Sequence, residues 1–582
     1  MKSNFTHFAG LYRYLEQSSP KHNFLNDRNG EEWHSLSKDV FLKHIRYLTL
    51  ISFDNNWTGK QVANAVSPSS NWLMIDYALM LSGAVSVPLF TNISSKNLLY
   101  QLKDANIHTV FIENETQERV IRQADSSIEM IYVNKEVSEY KTLENLLFQG
   151  EAIDKANPTL FDELLGRIKE DDLATIVYTS GTSGDPKGVE LTHANLISQI
   201  QATAENYFFE KHTDVAFSFL PLAHIFERMV MHFYLSRELT VYFADDVKNV
   251  GVLLKEVNPT VMTVVPRLLE KVYFKMKTKA MEGNVIKKAI VSLAFYRATT
   301  KDPYAKVTLL DKFLDKMVYT KLRLAFGSHM RMMISGGAAL SDMLYRFYLN
   351  IGAKVYQGYG LTESSPVIAS NTPKNNKIGT CGKVFPHVEV KISPEGELLA
   401  RGANIMRGYH NKEEATAEVI DSEGWLYTGD LASIDDEGYI TITGRKKELL
   451  KTSTGEFVSS VFIEQELMAN GWFEYALVVG DGKPYVSALL FIEHEFLGCL
   501  AKKMKSTPLK ALHSKKFKEM SKKYVAQINK KLNHWEKIRE YRVISDVLSI
   551  EDGFLTPSMK LAKKHLMEHY TAEIDAMYKE HV

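Results

Sequence analysis

Cysteine is scarce in this chain: its 582 residues hold two, Cys381 and Cys499, far apart in sequence. That excludes a disulfide framework and the paired-cysteine metal and redox motifs, and it suits a reducing compartment. Net charge is absent too, with 70 Lys and Arg against 70 Asp and Glu. The chain as a whole therefore carries no bias toward nucleic acid or an anionic surface. No unbroken apolar run reaches membrane-spanning length. The longest apolar stretch, WLMIDYALMLSGAVSVPLF (72–90), is interrupted by Asp76, Gly83 and Pro88. It reads as a buried helix ending near Gly83, followed by a strand. The opening MKSNFTHFAGLYRYLEQ has an early lysine but no apolar signal-peptide core. Internal repeats and low-complexity tracts are missing. A cytoplasmic, soluble chain is expected, with peripheral contact at the inner face of a membrane left open and the oligomeric state undetermined, a homodimer being one option.

What is present is a β/α alternation. Short apolar runs at 109–112, 129–133, 176–178, 239–243, 261–265 and 332–334 alternate with helical segments. This predicts an α/β fold with largely parallel sheets covered by helices. Residues 279–324 read as a helical excursion between two strands. Residues 395–443 change to short strands and Gly turns, a small β-rich subdomain. After GRKKE (444–448) the pattern changes again, to a smaller α+β unit. Within it, residues 501–532 hold eleven lysines and one acid, Glu519. These read as a solvated helical face, with an anion-attracting surface as the alternative.

The most informative stretch is TIVYTSGTSGDPKGVELTHAN (175–195). Two β-like runs flank a loop carrying Thr179, Ser180, Gly181, Thr182, Ser183, Gly184 and Lys187. Backbone amides, hydroxyls and one cation suit an anion, above all a polyphosphate. No register fits the Walker pattern G-x-x-x-x-G-K-[S/T]. Further along lie SGGA (335–338) with Gly336, Gly337 and Ala338; QGYGLTE (357–363) with Tyr359, Gly360, Thr362 and Glu363; and WLYTGD (425–430) ending in Asp430. Arg445 and Lys447 follow, and GFLTPSMK (553–560) ends in Lys560. Glu363 offers oxygen to a hard cation such as Mg²⁺. Asp430 can accept from paired hydroxyls. Lys560 is a compact charge able to bridge two anionic groups.

In this order and spacing the motifs resemble the adenylate-forming superfamily, which includes acyl-CoA synthetases. The resemblance covers most of the chain. It implies a large adenylation domain (1–443), a hinge (444–447) and a small mobile C-terminal domain (448–582). It further implies ATP held by the Thr179–Lys187 loop, adenine at Gly336, Gly337, Ala338, Tyr359 and Gly360, and ribose at Asp430 and Arg445. Thr362 would contact the α-phosphate, and Glu363 with Thr182 would hold Mg²⁺. Lys560 would carry adenylation. Lys447 falls at the hinge position, and Lys451 with Gly455 at the face used for the thiol step. Ser558 stands where threonine is more usual. His224, in LPLAHIFER (220–228), occupies a position beside the acyl site. Some fatty-acyl members carry a tryptophan gate four residues after it, where this chain has Arg228.

LPLAHIFER, the 279–324 excursion and GELLARGANIMRGY (396–409) look like bacterial long-chain acyl-CoA synthetases. The resemblance thus implies activation of a fatty acid as acyl-AMP, then transfer to CoA as cosubstrate. The alternatives are another acceptor, such as acyl carrier protein, another carboxylic acid, or a non-catalytic sensor on the same scaffold. No nucleic-acid partner is expected.

Overall fold

The computed structural model describes residues 5–133, 141–179, 186–282 and 284–579. Two large sheets form the body. In the nine-stranded sheet, six mutually parallel strands run in the order Leu25–Asn29, Thr240–Phe243, Val215–Ser218, Val261–Val264, Met332–Ser335 and Val355–Gly360. Antiparallel strands flank them at both edges. In the seven-stranded sheet, Leu173–Thr179, Val85–Pro88, Gln61–Asn64, Thr109–Ile112 and Glu129–Tyr132 are parallel neighbours. Lys187–Thr192 and Gly408–Tyr409 extend that sheet antiparallel.

The central strands read as unbroken apolar runs because helices cover both faces. All four residues of Val261–Val264, Met332–Ser335 and Thr109–Ile112 are buried. The 72–90 stretch forms the helix Ser70–Leu81, capped by the Ser69 hydroxyl, and then the strand Val85–Pro88. That helix is apolar all round, as a core helix must be. The expected excursion is present as the helices Val285–Thr300 and Leu309–Leu314 with a continuing turn. The β-rich subdomain is a four-stranded antiparallel sheet ending in Ile440–Arg445.

A separate C-terminal domain follows the turn Lys446–Glu448. It carries the sheet Phe473–Val479, Val486–Ile492 and Ile538–Ile544 and packs around its own apolar cores. All eleven lysines of 501–532 are exposed. Helix Pro266–Ala280 of the body touches this domain. Arg267 and Lys271 pair with Glu474 at 3.2 and 3.4 Å, Lys275 with Glu495 at 3.7 Å, and Phe274 packs on Phe496. Among the described residues, no helix is long and apolar enough to cross a membrane.

Candidate active site

The strand Val355–Gly360 ends in a reversal that only glycine permits. A Cβ on Gly360 would lie 1.8 Å from the Pro366 carbonyl oxygen. The reversal delivers Tyr359 and the turn Thr362–Ser364, which carries Thr362 and Glu363. Asp430 arrives on the strand Leu426–Ile434, directly opposite Arg445. The Tyr359 hydroxyl donates to Asp430 Oδ2 at 2.7 Å, and Arg445 Nε donates to Oδ1 at 2.8 Å. A carboxylate has about four acceptor positions, so lone pairs remain for two further hydroxyls. Burial, reinforced by the Asp430 charge, holds the Tyr359 phenol well above its usual pKa, so it stays a donor.

A second chain of contacts joins Lys187 to Glu363. The Lys187 ammonium lies 4.5 Å from the centre of the Tyr409 ring, and the Tyr409 hydroxyl donates to Glu363 Oε1 at 2.8 Å. The pairing of Gly408–Tyr409 with Lys187–Thr192 brings these residues together. Glu363 commits one oxygen to Tyr409 and has a second for a hard cation, so this carboxylate fits Mg²⁺. Tyr409 ends the run GELLARGANIMRGY (396–409); its phenol linking the two charges is not a pattern that spacing reveals.

The SGGA turn follows the strand Met332–Ser335. A Cβ on Gly336 would lie 2.9 Å from the Phe226 ring, so the turn presses on that ring, while Gly337 and Ala338 face outward. Two residues before Phe226, His224 caps the helix Ile225–Ser236, its Nδ1 accepting from the Phe226 amide at 3.3 Å. Burial, and next the charge of Lys560, lowers the His224 pKa to about 4, so the ring is neutral at pH 7.

Lys560 belongs to the C-terminal domain, yet its charge acts on His224, Arg445 and Asp430 of the body. Burial and then Arg445 push its pKa down, against Glu448 and Asp430. The side chain nevertheless keeps exposed surface. Thr556 builds its turn: the Lys560 amide donates to the Thr556 hydroxyl at 3.1 Å, and Ser558 lies 3.0 Å from that hydroxyl. Ser558 therefore keeps a hydroxyl against Thr556. Three residues on, Lys563 pairs with Glu448 and Glu464, both at 2.8 Å, anchoring the Lys560 turn beside the segment that follows Arg445. Nothing in the motif spacing singles out this anchor.

The remaining predicted residues divide. Thr179 is half-buried at the end of its strand. Ser180, Gly181, Thr182, Ser183 and Gly184 lie outside the described residues. Lys447 is exposed in the turn Lys446–Glu448. Lys451 sits apart, its amide on Asp481 and its ammonium 5.5 Å from the Phe457 ring centre, within the C-terminal domain. Arg228 is fully buried and bonded to Asp76 at 2.6 and 2.9 Å, so it is a fixed strut and not a swinging gate.

The architecture is that of an adenylation enzyme: an α/β body with parallel sheets and a separate C-terminal domain. The AMP-binding enzyme family matches residues 57–410, and its C-terminal domain matches residues 447–582. The chain belongs to this AMP-binding enzyme family. It is 34% identical over 522 residues to long-chain-fatty-acid–CoA ligase FadD15 of Mycobacterium bovis, covering 87% of this chain and 86% of that protein. It is 27% identical over 539 residues to human long-chain-fatty-acid–CoA ligase 6, covering 87% and 77%. Among solved structures, the adenylation domain of a carboxylate reductase from Mycobacterium chelonae superposes with a TM-score of 0.74 at 20% identity, covering 98% and 91%.

Proposed function

We propose that this chain is an ATP-dependent long-chain fatty acid–CoA ligase, an acid–thiol ligase working in two half-reactions. The observation that carries the reading is the Asp430 carboxylate held by Tyr359 at 2.7 Å and Arg445 at 2.8 Å, with lone pairs left for two hydroxyls and the Lys560 charge acting on it. The relatives named as long-chain-fatty-acid–CoA ligases support the choice of acid and acceptor.

In the first half-reaction a fatty carboxylate oxygen attacks the α-phosphorus of ATP. The new O–P bond forms as the bond to the β-phosphate oxygen breaks, and pyrophosphate leaves. Asp430 accepts from the ribose hydroxyls, with Arg445 and Tyr359 fixing its plane. Tyr359 and the Gly336–Ala338 turn border the adenine. Thr362 donates to the α-phosphate. Lys560 offsets negative charge that develops there, a task of positioning and electrostatics. Glu363, with Thr182, would hold Mg²⁺, which when bound supplies neutralising charge to the phosphates. Residues 179–187, with Lys187, hold the outer phosphates. Neutral His224 lines the acyl side.

In the second half-reaction the C-terminal domain (448–582) turns about Lys447 in the 444–447 hinge, withdrawing Lys560 and presenting Lys451 and Gly455. The CoA thiolate sulfur bonds to the acyl carbon as the acyl C–O bond to the phosphate breaks, and AMP departs with that oxygen. ATP–pyrophosphate exchange across a series of acids, followed by CoA and acyl carrier protein as acceptors, tests the reading. Exchange that requires a long-chain acid, with thioester formed on CoA, is expected. Exchange without a fatty acid requirement, or transfer to carrier protein alone, refutes it.

A further inference from the structure

Eleven of the 24 large apolar side chains exposed among the described residues fall within residues 285–324. Their arrangement is regular. On helix Val285–Thr300, Val291, Ala294, Phe295 and Ala298 face the core. On its other side, Ile286, Leu293 and Tyr296 are 72%, 44% and 69% exposed at helical spacing. The next helical segment repeats this. Leu314 and Val318 are buried, while Leu309, Phe313 and Met317, each four residues from the next, are 85%, 49% and 44% exposed. A helix apolar on both sides needs an apolar environment on both sides. Asp311 ties the two segments together by accepting from Arg297 and Lys301 at 2.5 and 2.7 Å.

The same residues break the charge balance of the chain. Residues 285–324 hold nine Lys and Arg against three Asp, in a protein with zero net charge. Arg297, Lys301 and Arg323 pair with Asp311 and Asp315. Lys287, Lys288, Lys306, Lys312 and Lys316 are exposed among the apolar residues. The lysine-rich segment 501–532 differs, because Leu509 is its one large exposed apolar side chain among the described residues.

From this combination we propose that the 285–324 helical layer docks on an anionic lipid bilayer. Its apolar side chains enter the interface and its lysines meet the headgroups. No described helix is long and apolar enough to span, so the layer lies on the surface. The proposal does not depend on the ligase reading, because its readout is binding and not turnover.

The test is co-sedimentation of the full chain with vesicles of 70% phosphatidylcholine and 30% phosphatidylglycerol. Wild type should partition onto these vesicles and far less onto pure phosphatidylcholine. L309D/F313D should weaken partitioning at least about tenfold, from lost apolar insertion and added repulsion. K287A and K288A should each weaken it about fivefold. L309S/F313S, milder at these exposed positions, should reproduce the loss if the Asp variant misfolds by circular dichroism. The idea fails if wild type stays unbound, or if both apolar variants bind like wild type. It also fails if K515A/K516A abolishes binding while L309S/F313S does not, or if lipid-free wild type is a dimer that L309S/F313S dissociates.

Discussion

Arg228→Leu should destabilise the body by about 3–5 kcal/mol, the range for removing one partner of a buried ion pair. Asp76, on the core helix Ser70–Leu81, and Arg228, on the helix Ile225–Ser236, are both 0% exposed. The guanidinium donates to both Asp76 oxygens and, at 2.7 Å, to the Thr175 hydroxyl. The Ser86 hydroxyl donates to Asp76 at 2.6 Å, and Trp72 lies 5.6 Å from the guanidinium carbon. Leucine in place of arginine leaves the carboxylate buried with the Ser86 hydroxyl and, at 3.5 Å, the His232 ring as its remaining polar neighbours. At roughly 2 °C per kcal/mol, that is a fall of about 6–10 °C in the body's thermal transition, read by calorimetry. The double variant D76L/R228L removes both charges and should recover most of the loss, to within about 1–2 kcal/mol of wild type. A pH series adds a second check. Burial raises the Asp76 pKa against the pull of Arg228. Without Arg228 that opposition is gone, so the native state binds the proton more tightly than the unfolded chain. A carboxyl with a raised native pKa adds stability as pH falls through that value, so the penalty should shrink from pH 8 to pH 5. Equal instability of single and double variants, or a penalty flat with pH, would refute the reasoning.

Lys560→Ala should slow acyl-adenylate formation about 10²-fold or more, yet leave thioester formation from supplied acyl-adenylate within a few-fold; equal loss in both half-reactions contradicts the assigned role. Glu474→Lys turns the contacts with Arg267 and Lys271 from attraction to repulsion. At about 1–2 kcal/mol for the reversal it should slow adenylation roughly 5–30-fold, more at low salt than at high; an effect independent of ionic strength rules out these ion pairs as what holds the C-terminal domain in its adenylating position. His224→Asn keeps a capping acceptor but cannot titrate. Native His224 has a depressed pKa of about 4, so its contribution is full above the unfolded value near 6.5 and is lost as pH falls toward 4. The stability gap between wild type and variant should narrow across that window in thermal scans, and a constant gap would refute the burial argument.

The fold was legible where burial is symmetric. Strand Thr109–Ile112 is buried at every position, so its apolar run marks it with correct ends. The hairpin Leu25–Asn29 and Glu32–Leu36 escaped that reading because its residues are largely polar and partly exposed, as at a sheet edge. Its signal was the Asn29-Gly30 pair, with Gly30 at φ 61°. The motif residues were legible because each keeps a fixed local order. What joins them was not: Tyr409 reaches Glu363 across 46 residues, and Lys563 reaches Glu464 across 99. Local order carries no trace of such partners.

Asp76 and Arg228 show how part of that trace can be recovered. In sequence, Asp76 is an interruption in an apolar run, and Arg228 stands where some fatty-acyl members of the family carry a tryptophan gate. Each sits in a helix whose neighbours are almost all buried: eleven of twelve residues in Ser70–Leu81 and all twelve in Ile225–Ser236. A buried charge in such a helix requires a partner, because an uncompensated one costs several kcal/mol; Glu227, adjacent to Arg228 but on a different face of the helix, accepts from the Ser218 and Thr263 hydroxyls. Exposed lysines and glutamates are poor candidates, since they have water. The strongest candidate is another charge with the same problem and the opposite sign. Here the two anomalies are 152 residues apart and solve each other. The constraint also explains why Arg228 does not act as a gate: a side chain that neutralises a core carboxylate has no free energy to spare for moving.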